Sequence, residues 1–442
     1  MTAASEASQT VAGLTVRGLA VAAREAVFEQ HLSFDDFCER NVEVRGLDSR
    51  DRAFLQAVVL TALRHHGEIE GVLAEFMTKP LPRKSGPARH ILAISAAQLL
   101  FLDVPPHAAI DQAVRLARLN RDATHFSGLV NAVLRKVAGQ GRQGLEAPHP
   151  PSVNTPRWLF DSWSKSYGAA NAAAIAAAHR REPALDITVK SDPEDWATRL
   201  GGIALPTGSI RLSETRGSIE SLPGYGEGAW WIQDAAAALP ARLFGELAGK
   251  NVLDLCAAPG GKTMQLAASG ARVTAVDQSS SRLARLRENL GRTGLKAEVV
   301  VEDALRFTAP AAFDAVLLDA PCSATGTIRR HPDLPYLKTA AQIASLAKLQ
   351  GQLLDHATTL VRPGGILVFC TCSLEPAEGE EQLARFLSDH GNFEIVPPRP
   401  GEAGIEAQLV GAGGVLRTLP FQRLGPAVGL DGFFAARLTR RH

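Results

Sequence analysis

The 442-residue sequence predicts an α/β protein in which a helical region and a small α+β segment precede a mainly parallel sheet. Two observations lead to this fold class. Apolar residues recur every three or four positions through residues 14–140, as they do in packed helices. From Asn251 onward, short β-branched runs alternate with helical segments, a pattern typical of a parallel sheet covered by helices on both faces.

Composition changes set the limits of the helical region. We predict a flexible N-terminus over residues 1–13, a helical domain over 14–140 and a linker rich in Gly and Pro over 141–156. Amphipathic pieces of this kind pack as a helical bundle. The predicted helices are GLAVAAREAVFEQ, RAFLQAVVLTALRHHGEIEGVLAEFM, ARHILAISAAQLLFLD, HAAIDQAVRLARL and FSGLVNAVLRKVA.

Residues 157–248 mix both patterns and are expected to form a small α+β subdomain. The helical stretches WLFDSWSKSYG and AANAAAIAAAHR precede the strand candidates LDITVK and GSIRL. The sheet domain is predicted over 249–442, and its strand candidates are NVLDLCA, ARVTAVD, AEVVVEDA, FDAVLLDA and GGILVFCT. Ligands of such sheets bind at the carboxyl ends of the strands, so we expect the chemistry there.

Charge, hydropathy and cysteine content narrow the class of protein. The net charge is +1, and residues 1–140 carry 16 Lys+Arg against 15 Asp+Glu, so bulk charge gives no evidence for a nucleic-acid partner. The N-terminus lacks the apolar core of a signal peptide, and the run 91–102 is too short to span a bilayer. Five cysteines, an odd number, argue for reduced thiols. We expect a cytoplasmic, monomeric protein without a membrane partner.

The stretch DLCAAPGGKT, residues 254–263, lies between a strand and a helix. Its glycines would let a ligand approach the backbone, although such a turn by itself is a weak signal. It matches neither GxGxxG nor the Walker spacing. Asp277 and Asp303 end the next two strands, where a carboxylate can bind ribose hydroxyls or an adenine amino group. Singly each is more often a solvated loop acid; together they predict a ribose- and adenine-bearing cofactor without phosphate.

Cysteines follow the last two strands. Cys322 comes after Asp319 in DAPCSATG, and a free cysteine is most often a small buried apolar residue. Cys370 and Cys372 lie on one face of an extended strand, but no second ligand pair accompanies them, so we predict no metal site. Cys372, at the strand end, is the candidate nucleophile, and Cys370 is expected to form the wall. The acidic EPAEGEE that follows is interpreted as the start of the next helix.

These motifs resemble the Sun family, also called Fmu or NOL/NOP/Sun, of RNA cytosine-carbon-5 methyltransferases. The resemblance rests on DLCAAPGGKT, VDQS, EDA, LLDAPCSATGTIRRHPD, CTCSLEPAEGE and DGFFAARL. The closest likeness is to the bacterial branch that acts on 16S ribosomal RNA, because HAAIDQAVRLAR and FSGLVNAVLRKV resemble helices of an RNA-binding NusB-like domain. The resemblance implies a Rossmann-like class I methyltransferase domain behind an all-α NusB-like domain and a small α+β insert that also binds RNA.

The resemblance also implies the cofactor and the site residues. S-adenosylmethionine would be bound by a loop and by the acids Asp277 at the ribose, Asp303 near the adenine and Asp319. The loop consists of Cys256, Ala257, Ala258, Pro259, Gly260, Gly261 and Lys262. Cys372 would be the nucleophile that adds to cytosine carbon 6, and Cys322 would assist release of the product. Asp319 would bond the cytosine ring edge and, if protonated, stabilise charge at ring nitrogen 3.

Some positions and alternatives stay open at this stage. Thr188 and Lys190 replace residues of a family Arg-Val-Asn strand, and Arg329, Arg330 and His331 are candidate contacts to the RNA backbone, with a solvated basic turn as the equal alternative. Lys262 is a candidate source of positive charge for the nucleophile. The alternatives are methylation of tRNA, another RNA or DNA, and a catalytically weak ribosome-assembly factor.

Overall fold

The computed structural model describes residues 3–82, 84–146, 149–212, 217–399 and 401–442, and for residues 3–12, 142 and 144 it describes only their place in a helix. The chain divides into two compact units. Unit 1 comprises Met1–Arg180 and His331–Leu337, and unit 2 comprises Arg181–Arg330 and Lys338–His442.

The helices of the described residues are, in chain order, α1 (Ala3–Glu29), α2 (Phe34–Arg40), α3 (Val42–Arg45), α4 (Ser49–Arg64), α5 (His66–Phe76), α6 (Ala88–Phe101), α7 (Pro106–Leu119), α8 (Ser127–Glu146), α9 (Arg157–Tyr167), α10 (Ala169–His179), α11 (Pro193–Leu200), α12 (Ala235–Arg242), α13 (Gly261–Ala268), α14 (Ser280–Thr293), α15 (Leu334–Leu337), α16 (Ala340–Leu360) and α17 (Glu380–Asp389).

The strands are β1 (Leu185–Val189), β2 (Ile203–Ala204), β3 (Ser209–Leu212), β4 (Trp230–Ile232), β5 (Asn251–Leu255), β6 (Arg272–Asp277), β7 (Glu298–Val301), β8 (Phe313–Asp319), β9 (Val361–Thr371), β10 (Phe393–Ile395), β11 (Leu416–Thr418), β12 (Arg423–Leu424), β13 (Ala427–Val428) and β14 (Phe433–Arg440). All of these strands of the described residues lie in unit 2.

Unit 1 is an all-helical body built around α6. This helix is buried over nearly its whole length, and its polar Gln98 is satisfied by Arg17 Nε at 2.8 Å and by the carbonyl of Ile94 at 3.0 Å. Buried apolar residues of α1, α4, α5, α7 and α8 complete the core. Because each helix has one apolar stripe and α6 is apolar on all sides, the other helices bury their stripes against it.

Three boundaries of unit 1 differ from the sequence expectation. Residues 3–13, predicted to be flexible, belong to α1, whereas residues 1 and 2 lie outside the described residues. Helix α8 continues to Glu146, into the predicted linker, whose residues 147 and 148 are also outside them. Helices α9 and α10, assigned from the sequence to the α+β segment, belong to unit 1. The Gly- and Pro-rich composition marked a break between helices and not the end of a packed unit.

The main sheet of unit 2 has the strand order β10-β14-β9-β8-β5-β6-β7, with β11 paired to β14. The pairs β5–β6, β5–β8, β6–β7 and β8–β9 are parallel, and β14 is antiparallel to its neighbours β9, β10 and β11. The chain goes outward from β5 to β6 and β7, then returns to β8 on the other side of β5. A crevice at the carboxyl ends of β5 and β8 follows from this reversal.

A smaller antiparallel sheet has the order β2-β3-β1-β4. Its apolar face, with Ile187, Ile210 and Trp230, forms a separate buried cluster. The strands predicted from LDITVK and GSIRL are β1 and β3, and the predicted parallel strands are β5 to β9. The α/β fold class behind a helical domain is therefore confirmed. No helix among the described residues is long and apolar enough to cross a membrane.

Candidate active site

A cavity of about 480 Å³ lies at the carboxyl ends of β5, β6 and β8, at the predicted edge of the sheet. Its wall contains most of the side chains that the sequence singled out, together with several it did not. The lining residues are Cys256, Ala258, Pro259, Asp277, Gln278, Arg282, Asp303, Ala304, Leu305, Asp319, Ala320, Pro321, Cys322, Ala324, Leu349, Leu353 and Cys372.

The loop between β5 and α13 forms one side of this cavity. It turns through left-handed backbone at Cys256, with φ of 62°, and at Gly260, with φ of 105°. A Cβ at Gly260 would lie 2.1 Å from Leu286 Cδ1, so only glycine fits this close approach to α14. Cys256, Ala258 and Pro259 line the cavity, whereas Ala257 and Gly261 are not part of its wall.

Two acids line the cavity where the adjacent parallel strands β6 and β7 end. Asp277 is buried and accepts hydrogen bonds from the backbone amides of Ala258 at 3.2 Å and Ser279 at 2.8 Å, and from Arg282 at 3.0 Å. Asp303 is exposed, and its carboxylate accepts a local bond from the backbone amide of Leu305 at 3.0 Å.

The side chains that line the cavity fit the predicted cofactor. Carboxylates suit ribose hydroxyls and an adenine amino group, and the apolar side chains of Leu305, Leu349 and Leu353 provide a surface for a flat ring. The cavity therefore has acidic polar contacts and apolar walls, as a ribose- and adenine-bearing cofactor requires.

An ion pair joins the buried Lys262 to Asp319, which lines the cavity. Lys262 Nζ donates to Asp319 Oδ2 at 2.8 Å and lies 4.8 Å from the centre of the Phe433 ring. Burial alone would lower the pKa of Lys262, but the charges of Asp319, Cys370 and Cys372 raise it above its usual value. The site thus contains a fixed ammonium group.

The two catalytic candidates among the cysteines lie side by side. Cys322 Sγ, after β8, is 3.4 Å from Cys372 Sγ, directly after β9, although 50 residues separate them. The hydrogen bond with Cys372, burial, and the charges of Cys372 and Glu378 raise the pKa of Cys322 well above its ordinary value. Cys370 is fully buried in β9, and its Sγ lies 3.4 Å from Asp319 Oδ1. The three thiols and the ion pair therefore form one cluster.

Two buried acids of the site were missed from the sequence. Asp254, at the end of β5, has a pKa raised to about 7, chiefly by burial. Glu378 is also fully buried, in the stretch EPAEGEE that the sequence predicted as the start of the next helix. That helix, α17, begins two residues later, at Glu380. Glu378 lies six residues after Cys372, in a short 3-10 turn that begins at Pro376, and neither feature distinguishes it from a solvated acid in the sequence.

The predicted basic patch after Cys322 needs correction. Arg329 is 5% exposed and donates to Asp431 at 2.9 Å and Asp234 at 3.3 Å. Arg330 donates to both acids as well. Both guanidinium groups are therefore engaged by acids of unit 2, Arg329 in the interior and Arg330 with 22% of its side chain exposed. His331 belongs to unit 1, where its Nδ1 lies 3.4 Å from Asp35 Oδ2.

Thr188 and Lys190, which depart from the family pattern, lie in and directly after β1. Thr188 is buried in β1, and Lys190, just beyond it, donates to the backbone carbonyl of Thr293 at 2.9 Å. Within the part of the chain that the structure describes, no group of three or more His, Cys, Asp or Glu side chains is arranged to hold a metal ion.

Comparisons with known proteins match both regions of the chain. Residues 245–439 match the family model "16S rRNA methyltransferase RsmB/F", and residues 8–139 match the NusB family. A relative named ribosomal RNA small subunit methyltransferase B, from Sodalis glossinidius, is 34% identical and covers 89% of this chain and 91% of its own length. A relative of the same name from Klebsiella pneumoniae is 33% identical, covering 97% and 99%.

A solved structure resembles part of the chain. It is described as a methyltransferase homolog protein from Pyrococcus horikoshii, is 28% identical and covers 65% of this chain and 95% of its own, with a TM-score of 0.55. The similarity to the curated relatives extends over both units, because it covers almost the whole sequence.

Proposed function

Because the chain belongs to the 16S rRNA methyltransferase RsmB/F family, we propose that it methylates carbon 5 of a cytosine in 16S ribosomal RNA, in the cytoplasm, with S-adenosylmethionine as methyl donor. One observation carries this proposal: two thiols 3.4 Å apart at a cavity whose acids suit an adenosine group. A methyltransferase acting on oxygen or nitrogen needs no such pair of thiols.

The cofactor, when bound, supplies an electrophilic methyl group. We assign its ribose to Asp277 and its adenine to the region of Asp303, with Leu305, Leu349 and Leu353 beside the ring.

Cys372 is assigned as the nucleophile. Carbon 5 of cytosine is too weak a nucleophile by itself, so the thiolate of Cys372 adds to carbon 6 and makes carbon 5 enamine-like. The ammonium of Lys262 stabilises negative charge that develops on the ring, and Asp319 accepts from the exocyclic amino group. After carbon 5 has taken up the methyl group, Cys322, in contact with Cys372, assists the elimination: a base removes the carbon 5 proton, the carbon 5–carbon 6 double bond forms again, and the Cys372–carbon 6 bond breaks to release the thiolate.

The test uses purified full-length protein, labelled S-adenosylmethionine and small-subunit ribosomal RNA from cells that lack this protein. The wild type is expected to label one cytosine, identified by mapping the modified base. Cys372→Ala is expected to abolish transfer while binding S-adenosylhomocysteine normally. Cys322→Ala is expected to accumulate a covalent complex of protein and RNA, visible on a denaturing gel.

Cys38→Ala is the matched control, because Cys38 lies in unit 1 and burial raises the pKa of its thiol to about 11. It is expected to methylate at the wild-type rate. Normal turnover by Cys372→Ala would overturn the mechanism. Labelling of tRNA alone would replace the proposed substrate by the alternative RNA.

A further inference from the structure

The cysteine loops meet on a single buried carboxylate, that of Glu378. Its Oε1 accepts the backbone amide of Ser323 at 2.9 Å and Gln350 Nε2 at 3.1 Å. Its Oε2 accepts the hydroxyl of Ser373 at 2.5 Å and also the hydroxyl of Ser323. Ser323 follows Cys322 and Ser373 follows Cys372, so one side chain joins the residues next to both thiols.

Further hydrogen bonds hold Glu378 in place. The hydroxyl of Thr371, the residue before Cys372, donates to the backbone carbonyl of Glu378 at 3.0 Å. Gln350, on α16, donates to the carbonyl of Pro321 at 2.9 Å as well as to the Glu378 carboxylate. Cys322 is thus flanked by two residues that are fixed by the Glu378–Gln350 pair.

The carboxylate has donors on both oxygens but no cation. Among the described residues no ion pair includes Glu378, which is fully buried. Burying an ionisable group in this way is costly unless hydrogen bonds satisfy it, and an apolar side chain would fill the same space more cheaply. A group kept here despite that cost has a role that depends on accepting several hydrogen bonds at once.

The two thiols do not depend equally on Glu378. Cys372 directly follows β9, and its carbonyl accepts from the amide of Gly326 at 3.0 Å. Cys322 lies in an irregular loop, in which Ala324 has a left-handed φ of 59° that L-residues rarely adopt. Ser323 donates two of the bonds to Glu378, one of them through its backbone amide. Loss of the carboxylate would therefore displace Cys322 more than Cys372.

We propose that Glu378 is a positioning residue that holds Cys322 against Cys372, so that Cys322 can act in release of the covalent RNA adduct. This inference rests on the proposed function, since it assigns a step of that reaction. In this proposal Glu378 acts through Cys322 and not on the cofactor. Among the described residues, the assigned cofactor contacts Asp277 and Asp303 share no hydrogen bond with Glu378.

The experiment compares Glu378→Ala, Glu378→Gln and the control Glu381→Gln in the full-length protein. Glu381 is exposed in the first turn of α17, and its substitution by Gln removes the same charge as Glu378→Gln. Three quantities are measured: affinity for S-adenosylhomocysteine, the single-turnover rate at which the Cys372 adduct forms, and the rate at which it decays to methylated RNA. Thermal unfolding is recorded for each variant.

Glu378→Ala is expected to bind S-adenosylhomocysteine within about twofold of wild type and to form the adduct, but to release it about 100-fold more slowly, the order of loss caused by a misplacement of about 1 Å. Glu378→Gln retains the shape and one acceptor oxygen, so its release rate is expected to lie between those of Ala and wild type. Glu381→Gln is expected to match wild type.

A merely structural role predicts a different pattern, in which cofactor affinity, adduct formation and release fall together with the unfolding temperature in both Glu378 variants. That pattern, or release at the wild-type rate by Glu378→Ala, overturns the inference. Absence of any adduct in the wild type, with methyl transfer intact, overturns the proposed covalent mechanism and the inference with it, so the two failures are distinguishable.

Discussion

The closest backbone approach in the active site occurs at Gly326, and it leads to a sharp prediction. Gly326 donates its amide to the carbonyl of Cys372 at 3.0 Å, and its carbonyl accepts from the amide of Gly432 at 2.8 Å. A Cβ at this position would lie 1.9 Å from the Gly432 oxygen and 2.8 Å from the Cys372 oxygen. Both neighbours are backbone atoms, so no side chain can rotate away.

Gly326→Ala must therefore move the loop. Contacts shorter than 3.0 Å do not occur for a Cβ, so the separation from Gly432 has to increase by at least 3.0 − 1.9 = 1.1 Å. Since Gly326 lies between the two cysteine loops, that shift alters the distance between the thiols of Cys322 and Cys372. We expect kcat for methyl transfer to fall about 100-fold and the free energy of unfolding to fall by about 1–3 kcal/mol.

The assay is steady-state methyl transfer to unmodified 16S ribosomal RNA, with the affinity for S-adenosylhomocysteine measured in parallel. Affinity is expected to change little, because the assigned cofactor contacts at Asp277 and Asp303 are elsewhere. Gly391→Ala is the matched control, since a Cβ there meets nothing within 4 Å. Wild-type kcat in Gly326→Ala would refute the argument that this close approach sets the geometry of the thiols.

Further predictions concern the buried acids of unit 2. Burial is the chief reason that the pKa of Asp254 rises to about 7 in the folded protein, from 3.8 in the unfolded chain. Between these two pH values unfolding releases a proton, so the free energy of unfolding falls as the pH rises from 3.8 to about 7. Asp254→Asn should remove this fall, about 1.4 kcal/mol per unit of pKa difference, in urea titrations across that range; a pH-independent difference from wild type would contradict it. Asp234→Ala removes one of the two carboxylates that Arg329 and Arg330 share, and it removes the helix cap that accepts the amide of Ala236 at the start of α12. The free energy of unfolding should fall by about 3–5 kcal/mol in the same assay. A loss below about 1 kcal/mol would show that Asp431 suffices.

The fold class was predictable because its signals are local and repeated. Each strand of the parallel sheet is a short apolar run, and each helix shows its own apolar stripe, so no long-range information was needed to infer a sheet covered by helices. The unit boundaries were less predictable. Helices α9 and α10 follow a break in the sequence but belong to unit 1, because membership depends on which apolar faces meet and not on where a linker composition occurs.

The site shows the same division. Sequence patterns by themselves predicted that Asp277, Asp319, Cys322 and Cys372 lie at or just after the ends of strands in one parallel sheet, which brings its carboxyl ends to one edge. Only the tertiary structure decided which of these side chains touch. It places the thiol of Cys322 in contact with that of Cys372, and the thiol of Cys370 in contact with Asp319. The direction of each side chain depends on the strand register and on the loop that follows.

Charged residues were the hardest to interpret, and the reason is physical. The same letters describe a solvated side chain and a buried one, and only the partners distinguish the two. Arg329 and Arg330 were expected on a surface but form ion pairs with Asp234 and Asp431, which are about 100 residues away in the sequence. Glu378 was expected at the start of a helix but is buried, where it accepts hydrogen bonds from both cysteine loops. The sequence determined the fold and the kinds of chemical groups; the tertiary structure decided which charges are buried and what each one holds.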